Sequence, residues 1–166
     1  LHDSLAAKKS PDEKLNAFYG PVFDISSTLV KVYTDGSCIG NGKGSARAGA
    51  GTYAGPQSSL NASLHVTAEQ TNNRGELLAI LYTLSTVRPN RHLEIYSDSE
   101  YAIRSIVYWA PDRAQKGWKC ANVDLLKDIV SWIKFRSAPV HFHHVKAHSG
   151  NGHNEAADAA AKAGAA

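Results

Sequence analysis

This chain of 166 residues lacks several features that would quickly assign it to a protein class. Its two cysteines, Cys38 and Cys120, are too few and too far apart for a disulfide framework or a cysteine-based metal cluster. No apolar run reaches the roughly 18 residues that a membrane-spanning helix requires. No signal-peptide pattern is recognisable. We therefore expect an intracellular protein, with a mild preference for a reducing compartment.

The chain also contains no methionine, even at position 1. We expect a chain that has been trimmed, processed or cut from a longer polypeptide. Residues 1–28 have mixed charge, two prolines and no sustained period, which predicts an N-terminal tail or linker. An aromatic cluster that includes Phe18 and Tyr19 could dock this segment onto the rest. Residues 29–166 are long enough to form one domain with its own core.

Residues 29–166 alternate between strand and helix patterns. LVKVYTD, AGAGTYAG and SLHVTAEQ predict three strands with short antiparallel connections. Leucines from Leu77 to Leu84 recur at helical spacing and predict a helix from about Asn72 to Val87. RHLEIYSD and PVHFHHV predict two further strands, linked through helices and so parallel to the first. The pattern therefore predicts an α/β domain with a five-stranded mixed sheet flanked by helices.

The remaining helices are marked by their boundary residues. A helix is predicted from Ser99 to about Tyr108, and Pro111 fits the first turn of a separate short helix. Asn122 can cap the helix that follows it. The last, alanine-rich helix is predicted to begin near Asn154.

Four carboxylates occupy comparable places in these elements. Asp35 ends the first predicted strand and Asp98 ends the fourth. Glu76 and Asp158 fall in the early turns of two predicted helices. Because ligand sites in such sheets lie outside the carboxyl ends of the strands, we expect the four acids to meet there. Four carboxylates share a small volume only when a cation cancels their charge, which indicates divalent metal.

The distribution of charge points to the kind of substrate. Residues 29–166 hold 15 Lys and Arg against 11 Asp and Glu, a net charge of +4. When the four candidate metal ligands are set aside, the 15 basic residues face only 7 acidic ones. A basic surface around an acidic, metal-neutralised pocket suits a polyanionic substrate. The same mild basicity is also compatible with solubility alone.

The contexts of the four acids closely resemble the type 1 ribonuclease H family. The matching motifs are YTDGSCIGN, TNNRGELLAI, YSDSEYAI, GWK, NVDLL and HVKAHSGNGHNEAADAAA. They occur in the family's order and cover essentially all of residues 29–166. The resemblance implies the ribonuclease H-like fold. It also implies an endonuclease that hydrolyses the RNA strand of RNA/DNA hybrids and leaves 5′-phosphate and 3′-hydroxyl ends.

The resemblance further implies a cofactor and a set of catalytic residues. Asp35, Glu76, Asp98 and Asp158 would bind two Mg²⁺ ions, for which Mn²⁺ can substitute. The ions would activate a water and stabilise the leaving oxygen, so no protein nucleophile is needed. His148 falls where the family has a histidine that assists proton transfer or product release.

Substrate contacts are implied in two regions of the chain. The loop after the first strand and the start of the first helix would read the RNA 2′-hydroxyls and bind DNA phosphates. A basic, aromatic segment from Trp109 to Lys119 would grip the DNA strand. The residues implied are Cys38, Gly40, Asn41, Thr71, Asn72, Asn73, Arg74, Trp109, Trp118, Lys119 and Asn154. Helix capping by Thr71 and Asn72, and core packing by Trp118, remain structural alternatives.

Two departures from the family pattern bear on substrate affinity. Pro111 interrupts the helix before the basic segment, and only four positions separate Trp118 from Asn122. Many family members have a longer basic loop there, so weaker hybrid affinity or dependence on a fused domain would follow. Glu100 stands near the pocket where the family usually has a neutral residue, and could alter metal or RNA contacts.

The histidines near the C-terminus need a separate interpretation, since five of them could suggest zinc: His141, His143, His144, His148 and His153. His141 and His143 alternate with Val140 and Phe142, however, which indicates the polar face of a strand. A zinc site is therefore disfavoured on the sequence.

Three alternatives remain beside the main hypothesis. A relative with the same fold and carboxylates could act on another nucleic acid, although such relatives lack the TNNRGEL and GWK contexts. A non-catalytic hybrid-binding module is disfavoured, because binding alone would gain from fewer carboxylates near phosphate. The chain could also be a ribonuclease H domain excised from a retroelement polyprotein, for example one containing reverse transcriptase. A monomer bound to RNA/DNA hybrid, with no membrane contact, is the expected state.

Overall fold

The computed structural model describes residues 2–3, 18–20, 28–40, 43–147 and 149–166. Asn41, His148 and most of the predicted tail lie outside these ranges. Within the described ranges, no helix is long and apolar enough to cross a lipid bilayer.

The described strands form one mixed sheet. Their bounds are β1 His2–Asp3, β2 Val30–Ile39, β3 Arg47–Tyr53, β4 Ala62–His65, β5 Leu93–Ser97 and β6 Val140–His144. The order across the sheet is β1-β6-β5-β2-β3-β4. β2, β5 and β6 are parallel to one another, whereas β3 pairs antiparallel with both β2 and β4. The predicted α/β fold and its five strands are confirmed, and the short β1 adds a parallel strand beside β6.

The helices flank this sheet. Their bounds are α1 Asn72–Thr86, α2 Glu100–Arg104, α3 Ala110–Gln115, α4 Val123–Phe135 and α5 Gly152–Ala165. The prediction for α1 is confirmed to within one residue. α5 begins two residues before the predicted Asn154, because the Asn151 side chain accepts the amide hydrogens of His153 and Asn154.

A π-helical turn, Ser105–Trp109, joins α2 to α3. Pro111 lies in the first turn of α3, where its missing amide hydrogen costs no helical hydrogen bond. The prediction that Pro111 belongs to the start of a new short helix is confirmed. The chain nevertheless stays helical from Glu100 to Gln115, so the first part of the basic segment is helical and residues 116–119 follow the end of α3.

Asn122 directly precedes α4, but its side chain does not cap that helix. Its backbone is left-handed, with φ of 58°, a conformation that asparagine tolerates. The side chain instead donates to the Tyr101 hydroxyl and accepts a long hydrogen bond from Arg74. The predicted capping role is wrong, because this hydrogen-bonding directs the amide to α1 and α2 rather than to the α4 amides.

The core lies between the sheet and the helices α1, α2 and α4. It includes Val32, Leu77, Ile80, Leu93, Ile95, Ile106, Leu126, Ile129 and Phe142, all fully buried or nearly so. Tyr19 is buried in the same core and donates its hydroxyl hydrogen to the Ile106 carbonyl. This part of the predicted tail therefore packs onto the domain, while the boundary at residue 28 stays a prediction.

α5 packs against β2, β3 and β4 at very short range. A Cβ atom on Gly49 would lie 2.2 Å from the Ala161 carbonyl oxygen, and one on Gly51 would lie 2.4 Å from the Ala157 carbonyl oxygen. Only glycine permits this approach of helix to strand. It brings Asp158, on the same helix, directly against the sheet.

Candidate active site

Asp35 and Asp98 lie side by side at the end of the parallel ladder between β2 and β5. The last Cα pair of that ladder is Thr34 with Ser97, and one aspartate follows each of them. The expectation that Asp35 ends its strand is wrong, because β2 continues to Ile39 through antiparallel pairs with β3. Parallel pairing, rather than a strand end, makes Asp35 a neighbour of Asp98.

The predicted carboxylates meet in one cavity. Asp35, Glu76 and Asp98 each present an oxygen, and the three oxygens lie within 4.8 Å of one another. The exposed fraction is only 4% for Asp35 and 2% for Glu76. Asp158 lines the same cavity of about 350 Å³ from α5. All four acids singled out in the sequence therefore border one small volume.

Burial makes two of these carboxyl groups hard to ionise without a cation. Burial, together with the charges of Asp98 and Asp158, raises the pKa of Asp35 to about 7, although Glu76 and the Gly36 amide partly oppose the rise. Burial and the neighbouring Asp35 raise the pKa of Glu76 well above its ordinary value. A bound cation would reverse both shifts, since opposite charge favours the ionised form.

The donor set also suits a hard divalent cation. Every ligand atom is a carboxylate oxygen, the donor that Mg²⁺ and Mn²⁺ prefer. Glu76 Oε2 is buried and has no hydrogen-bond partner among the described residues. A buried acceptor without a donor is costly, and a metal ion at this position would satisfy it. The residues present therefore fit a metal-binding role.

Lys162 is a cavity residue that the sequence interpretation missed. Its Nζ lies 2.9 Å from Asp158 Oδ2, one helical turn away on α5. It borders the cavity beside Asp35 and Glu155. Its i,i+4 spacing from Asp158 on a predicted helix is the signal that could have revealed it.

Several residues predicted to bind substrate surround this cavity. Cys38, Asn72 and Asn154 line it. Asn73 is exposed in the first turn of α1, and Gly40 takes a left-handed turn after β2, with φ of 69°. The Oδ1 atom of Asn154 is buried and lacks a hydrogen-bond partner within the described ranges. Their contacts with substrate stay predictions.

Thr71 caps α1, because its hydroxyl oxygen accepts the amide hydrogen of Arg74. Arg74 itself is 5% exposed and points inward. Its guanidinium forms a two-pronged pair with Asp124, at 2.9 and 2.6 Å, and its Nε donates to the Thr67 carbonyl. The structure thus shows Arg74 joining α1 to α4, whereas its predicted phosphate contact has no support from this position.

The basic, aromatic segment is divided between surface and core. Trp109 is 38% exposed, and the Arg113 guanidinium lies 4.9 Å from the centre of its ring. Lys119 is exposed, but Trp118 is partly buried against the core. Trp109 and Lys119 are therefore better placed than Trp118 for contact with a partner.

Glu100, at the start of α2, is paired with Arg104, with 3.7 Å between the carboxylate and the guanidinium.

Known proteins match this chain over most of its length. A family model described as RNase H matches residues 27–166. Ribonuclease H of Enterobacter sp. (strain 638) is 32% identical over 140 residues, which cover 82% of this chain and 88% of that protein. Ribonuclease H1 of Homo sapiens is 34% identical over 149 residues, which cover 86% of this chain and 52% of that protein. The chain thus spans most of the bacterial relative and about half of the human one.

A solved structure agrees with these matches. The crystal structure of LC9-RNase H1, a type 1 RNase H with the type 2 active-site motif, superposes with a TM-score of 0.66 at 30% identity. That match covers 86% of this chain and 74% of the other. The resemblance found in the sequence motifs is confirmed by sequence, family and fold, and the chain belongs to the RNase H family.

Proposed function

We propose that this chain is a metal-dependent endonuclease that hydrolyses the RNA strand of RNA/DNA hybrids, leaving 5′-phosphate and 3′-hydroxyl ends. The observation that carries the proposal is the convergence of the Asp35, Glu76 and Asp98 oxygens within 4.8 Å. It occurs in a chain of the RNase H family, whose relatives are named ribonucleases H.

The proposed cofactor is a pair of Mg²⁺ ions, for which Mn²⁺ can substitute. Asp35, Glu76, Asp98 and Asp158 would hold them. When bound, such ions activate a water for attack on the scissile phosphate and stabilise the leaving oxygen. The raised pKa of Asp35 supports a resident cation, and so does Glu76 Oε2, which has no hydrogen-bond partner in the described part of the chain.

The protein's own contribution is to hold these ligands in place. Asp35 lies in β2 between its antiparallel partner β3 and the end of the parallel ladder to β5. Glu76 lies in a helix whose first turn is fixed by the Thr71 cap. Preorganised charges need no rearrangement during reaction, which is a main source of rate enhancement. We propose that His148 assists proton transfer or product release.

We propose that the cavity rim distinguishes RNA from DNA. Cys38, Gly40, Asn41 and Asn73 would contact the RNA strand, where reading the 2′-hydroxyl is the physical basis of discrimination. The rim location of Cys38 and the exposure of Asn73 support this role.

The DNA strand would be held by neutral donors and by the basic segment. Thr71, Asn72 and Asn154 supply hydroxyl and amide groups near the cavity for phosphate or sugar. Trp109 and Lys119 would contact the backbone of the DNA strand, with a smaller contribution from the half-buried Trp118. We further propose that the chain acts as an intracellular monomer, alone or as a domain of a larger polypeptide.

Cleavage assays on matched substrates test this function. The protein is incubated with labelled RNA/DNA hybrid, RNA duplex, DNA duplex and single strands in Mg²⁺, with and without EDTA. We expect cleavage of the RNA strand of the hybrid alone, and none in EDTA. Equal cutting of RNA duplex, or activity that survives EDTA, would overturn the proposal.

An active-site variant provides the second arm. Asp35→Asn should keep the fold and lose cleavage, because one neutral amide replaces a metal-binding carboxylate. Asp128→Asn, an exposed position on α4, is the matched control and should keep full activity. Activity of Asp35→Asn comparable with that of the control would show that the metal assignment is wrong.

A further inference from the structure

A second group of potential metal ligands lies on β5, on β6 and at the residue just before β5, outside the carboxylate cavity. His92, Glu94 and His141 each present one ligand atom, and these three atoms lie within 4.8 Å of one another. Glu94 and His141 are Cα partners in the parallel β5–β6 ladder. His92 precedes Glu94 by two residues, so the strand period puts all three side chains on one face of the sheet.

This face is accessible to solutes. The alternate residues on the two strands, including Leu93, Ile95 and Phe142, are buried in the core on the opposite face. His92, Glu94 and His141 are all partly exposed. The three side chains therefore lie on the face of the sheet opposite the core, at the protein surface.

The chemistry of the donors selects a class of ion. Two imidazole nitrogens and one carboxylate oxygen suit Zn²⁺ and similar transition metals, whereas Mg²⁺ prefers oxygen ligands alone. Zinc bonds of about 2.0–2.2 Å put the ligand atoms of a tetrahedral site roughly 3.3–3.6 Å apart. The three atoms lie within 4.8 Å of one another, so binding an ion requires the side chains to rotate and bring the ligand atoms closer by up to about 1.5 Å.

Two neighbouring groups orient the Glu94 carboxylate. The Tyr96 hydroxyl donates to Glu94 Oε1 at 2.9 Å, and His143 Nε2 lies 3.5 Å from Glu94 Oε2. The Tyr96 and His143 rings are stacked at 4.7 Å. Such outer contacts commonly fix the orientation of metal ligands.

The group is distinct from the candidate active site. Glu94 precedes Asp98 by four residues along β5, which corresponds to about 13 Å. The two groups share no ligand residue, and only this one contains nitrogen donors. Occupation of one site therefore does not require occupation of the other.

We propose that His92, Glu94 and His141 form a binding site for a transition-metal ion, with Zn²⁺ as the preferred ion, that clips β5 to β6. The sequence alone indicates only a polar strand face at His141, because His92 and Glu94 lie outside the histidine-rich segment from His141 to His153. Three protein ligands leave a coordination position for water. The ion stabilises the folded chain, since the site is assembled only when the two strands pair.

Calorimetric titration with Zn²⁺ tests the proposal on tag-free full-length protein in excess Mg²⁺, which occupies the carboxylate cavity. We expect the unmodified chain to bind one equivalent of Zn²⁺. The control His65→Gln, which removes an exposed histidine on β4, should also bind one equivalent. His141→Gln should lose that equivalent, and Asp35→Asn should keep it. An unchanged equivalent in His141→Gln, or its loss in Asp35→Asn, would overturn the proposal.

Two further measurements keep the test independent of folding defects. Tyr96→Phe removes a hydrogen bond to Glu94 without removing a ligand, so it should weaken Zn²⁺ binding by roughly 10- to 100-fold at unchanged stoichiometry. Zn²⁺ should raise the melting temperature of the unmodified chain but not that of His141→Gln. The proposal would be contradicted if Tyr96→Phe bound Zn²⁺ as tightly as the unmodified chain and Zn²⁺ raised the melting temperature of His141→Gln as much as that of the unmodified chain.

Discussion

Gly36 and Glu76 are in direct backbone contact between β2 and α1. A Cβ atom on Gly36 would lie 2.4 Å from the Glu76 amide nitrogen and 2.7 Å from the Gly75 carbonyl carbon. The missing side chain lets the first turn of α1 lie on the strand that carries Asp35. The Glu76 carboxylate reaches the metal-binding cavity because of this close approach.

Gly36→Ala should therefore damage both the stability and the activity of the protein. The added methyl group meets backbone atoms, which cannot rotate away, so the helix must shift. We expect the free energy of unfolding to fall by about 1–3 kcal/mol. A displacement of Glu76 by even about 1 Å can reduce turnover on the order of 100-fold. Denaturant unfolding and initial cleavage rates measure the two effects.

Gly44→Ala is the matched control for that variant. Apart from its chain neighbours, none of the described residues has an atom within 4 Å of a Cβ atom built on Gly44, so the same chemical change meets open space among them. We expect stability and turnover close to those of the unmodified chain. If both glycine variants lose activity equally, close packing of α1 on β2 is not what positions Glu76.

The stability of the metal-free protein should fall as pH rises. Burial, with the charges of Asp98 and Asp158, raises the pKa of Asp35 to about 7 in the folded chain, against an ordinary value of 3.8. Between these two values the folded state keeps a proton that the unfolded state has lost. The stabilisation is complete below about pH 3.8 and is lost as pH rises through about 7. The raised pKa of Glu76 acts in the same direction.

Urea unfolding in EDTA at pH 5 and pH 8 measures this dependence. We expect the free energy of unfolding to be lower at the higher pH by about 2–3 kcal/mol. Mg²⁺ should recover most of this loss at pH 8, because it binds the ionised carboxylates. In Asp35→Asn the difference should shrink, since the titrating group is gone. An unchanged pH dependence in that variant would assign the effect to other groups.

Arg74 should contribute to stability rather than to the salt dependence of hybrid binding. Its buried guanidinium is paired with Asp124, and this hydrogen bond is the main reason that the pKa of Asp124 falls to about 2. Asp124→Asn should lower the free energy of unfolding by about 1–3 kcal/mol, because a buried cation loses its charged partner. A phosphate contact by Arg74 would instead predict that Arg74→Gln reduces the salt slope of binding by about 1.

Lys119→Ala is the matched comparison for this distinction. Lys119 is exposed in the basic segment, so its loss should reduce the salt slope by about 1 and leave stability unchanged. Arg74→Gln should show the opposite pattern. Binding titrations at several salt concentrations, with unfolding curves for each variant, separate the two roles. A reduced slope for Arg74→Gln without loss of stability would support the phosphate contact.

These residues show which parts of the site a sequence can predict. Apolar residues recur at strand spacing before Asp35 and Asp98 and at helical spacing after Glu76. Because these patterns involve only neighbouring residues in the sequence, the two strands and the helix could be identified directly. The continuation of β2 past Asp35 could not, because it depends on pairing with β3. Asn122 is a further case: its left-handed backbone and its hydrogen bond to Tyr101 depend on distant parts of the chain.

Charge was the less reliable guide to position. The family resemblance implies a phosphate contact for Arg74, and arginine is rarely buried unless it is paired. Its partner Asp124 lies 50 residues away, and no local pattern connects the two. The position of Asp35 beside Asp98 was predictable for the opposite reason, since sites in α/β sheets lie where the parallel pairing of strands ends.

Lys162 should raise the Mg²⁺ concentration that the proposed cleavage requires. Its ammonium group is paired with Asp158 at 2.9 Å and must be displaced or repelled when a cation binds that carboxylate. Lys162→Gln should therefore lower the Mg²⁺ concentration needed for half-maximal cleavage. Because an exposed ion pair is weak, the expected decrease is up to about fivefold.

Lys127→Gln is the matched control, because Lys127 is exposed on α4, outside both the cavity and the basic segment. Its Mg²⁺ requirement should equal that of the unmodified chain. Cleavage rates over a range of Mg²⁺ concentrations at constant ionic strength measure both variants. A higher Mg²⁺ requirement in Lys162→Gln would mean that the lysine assists metal or substrate binding, because competition with the metal can only act in the other direction.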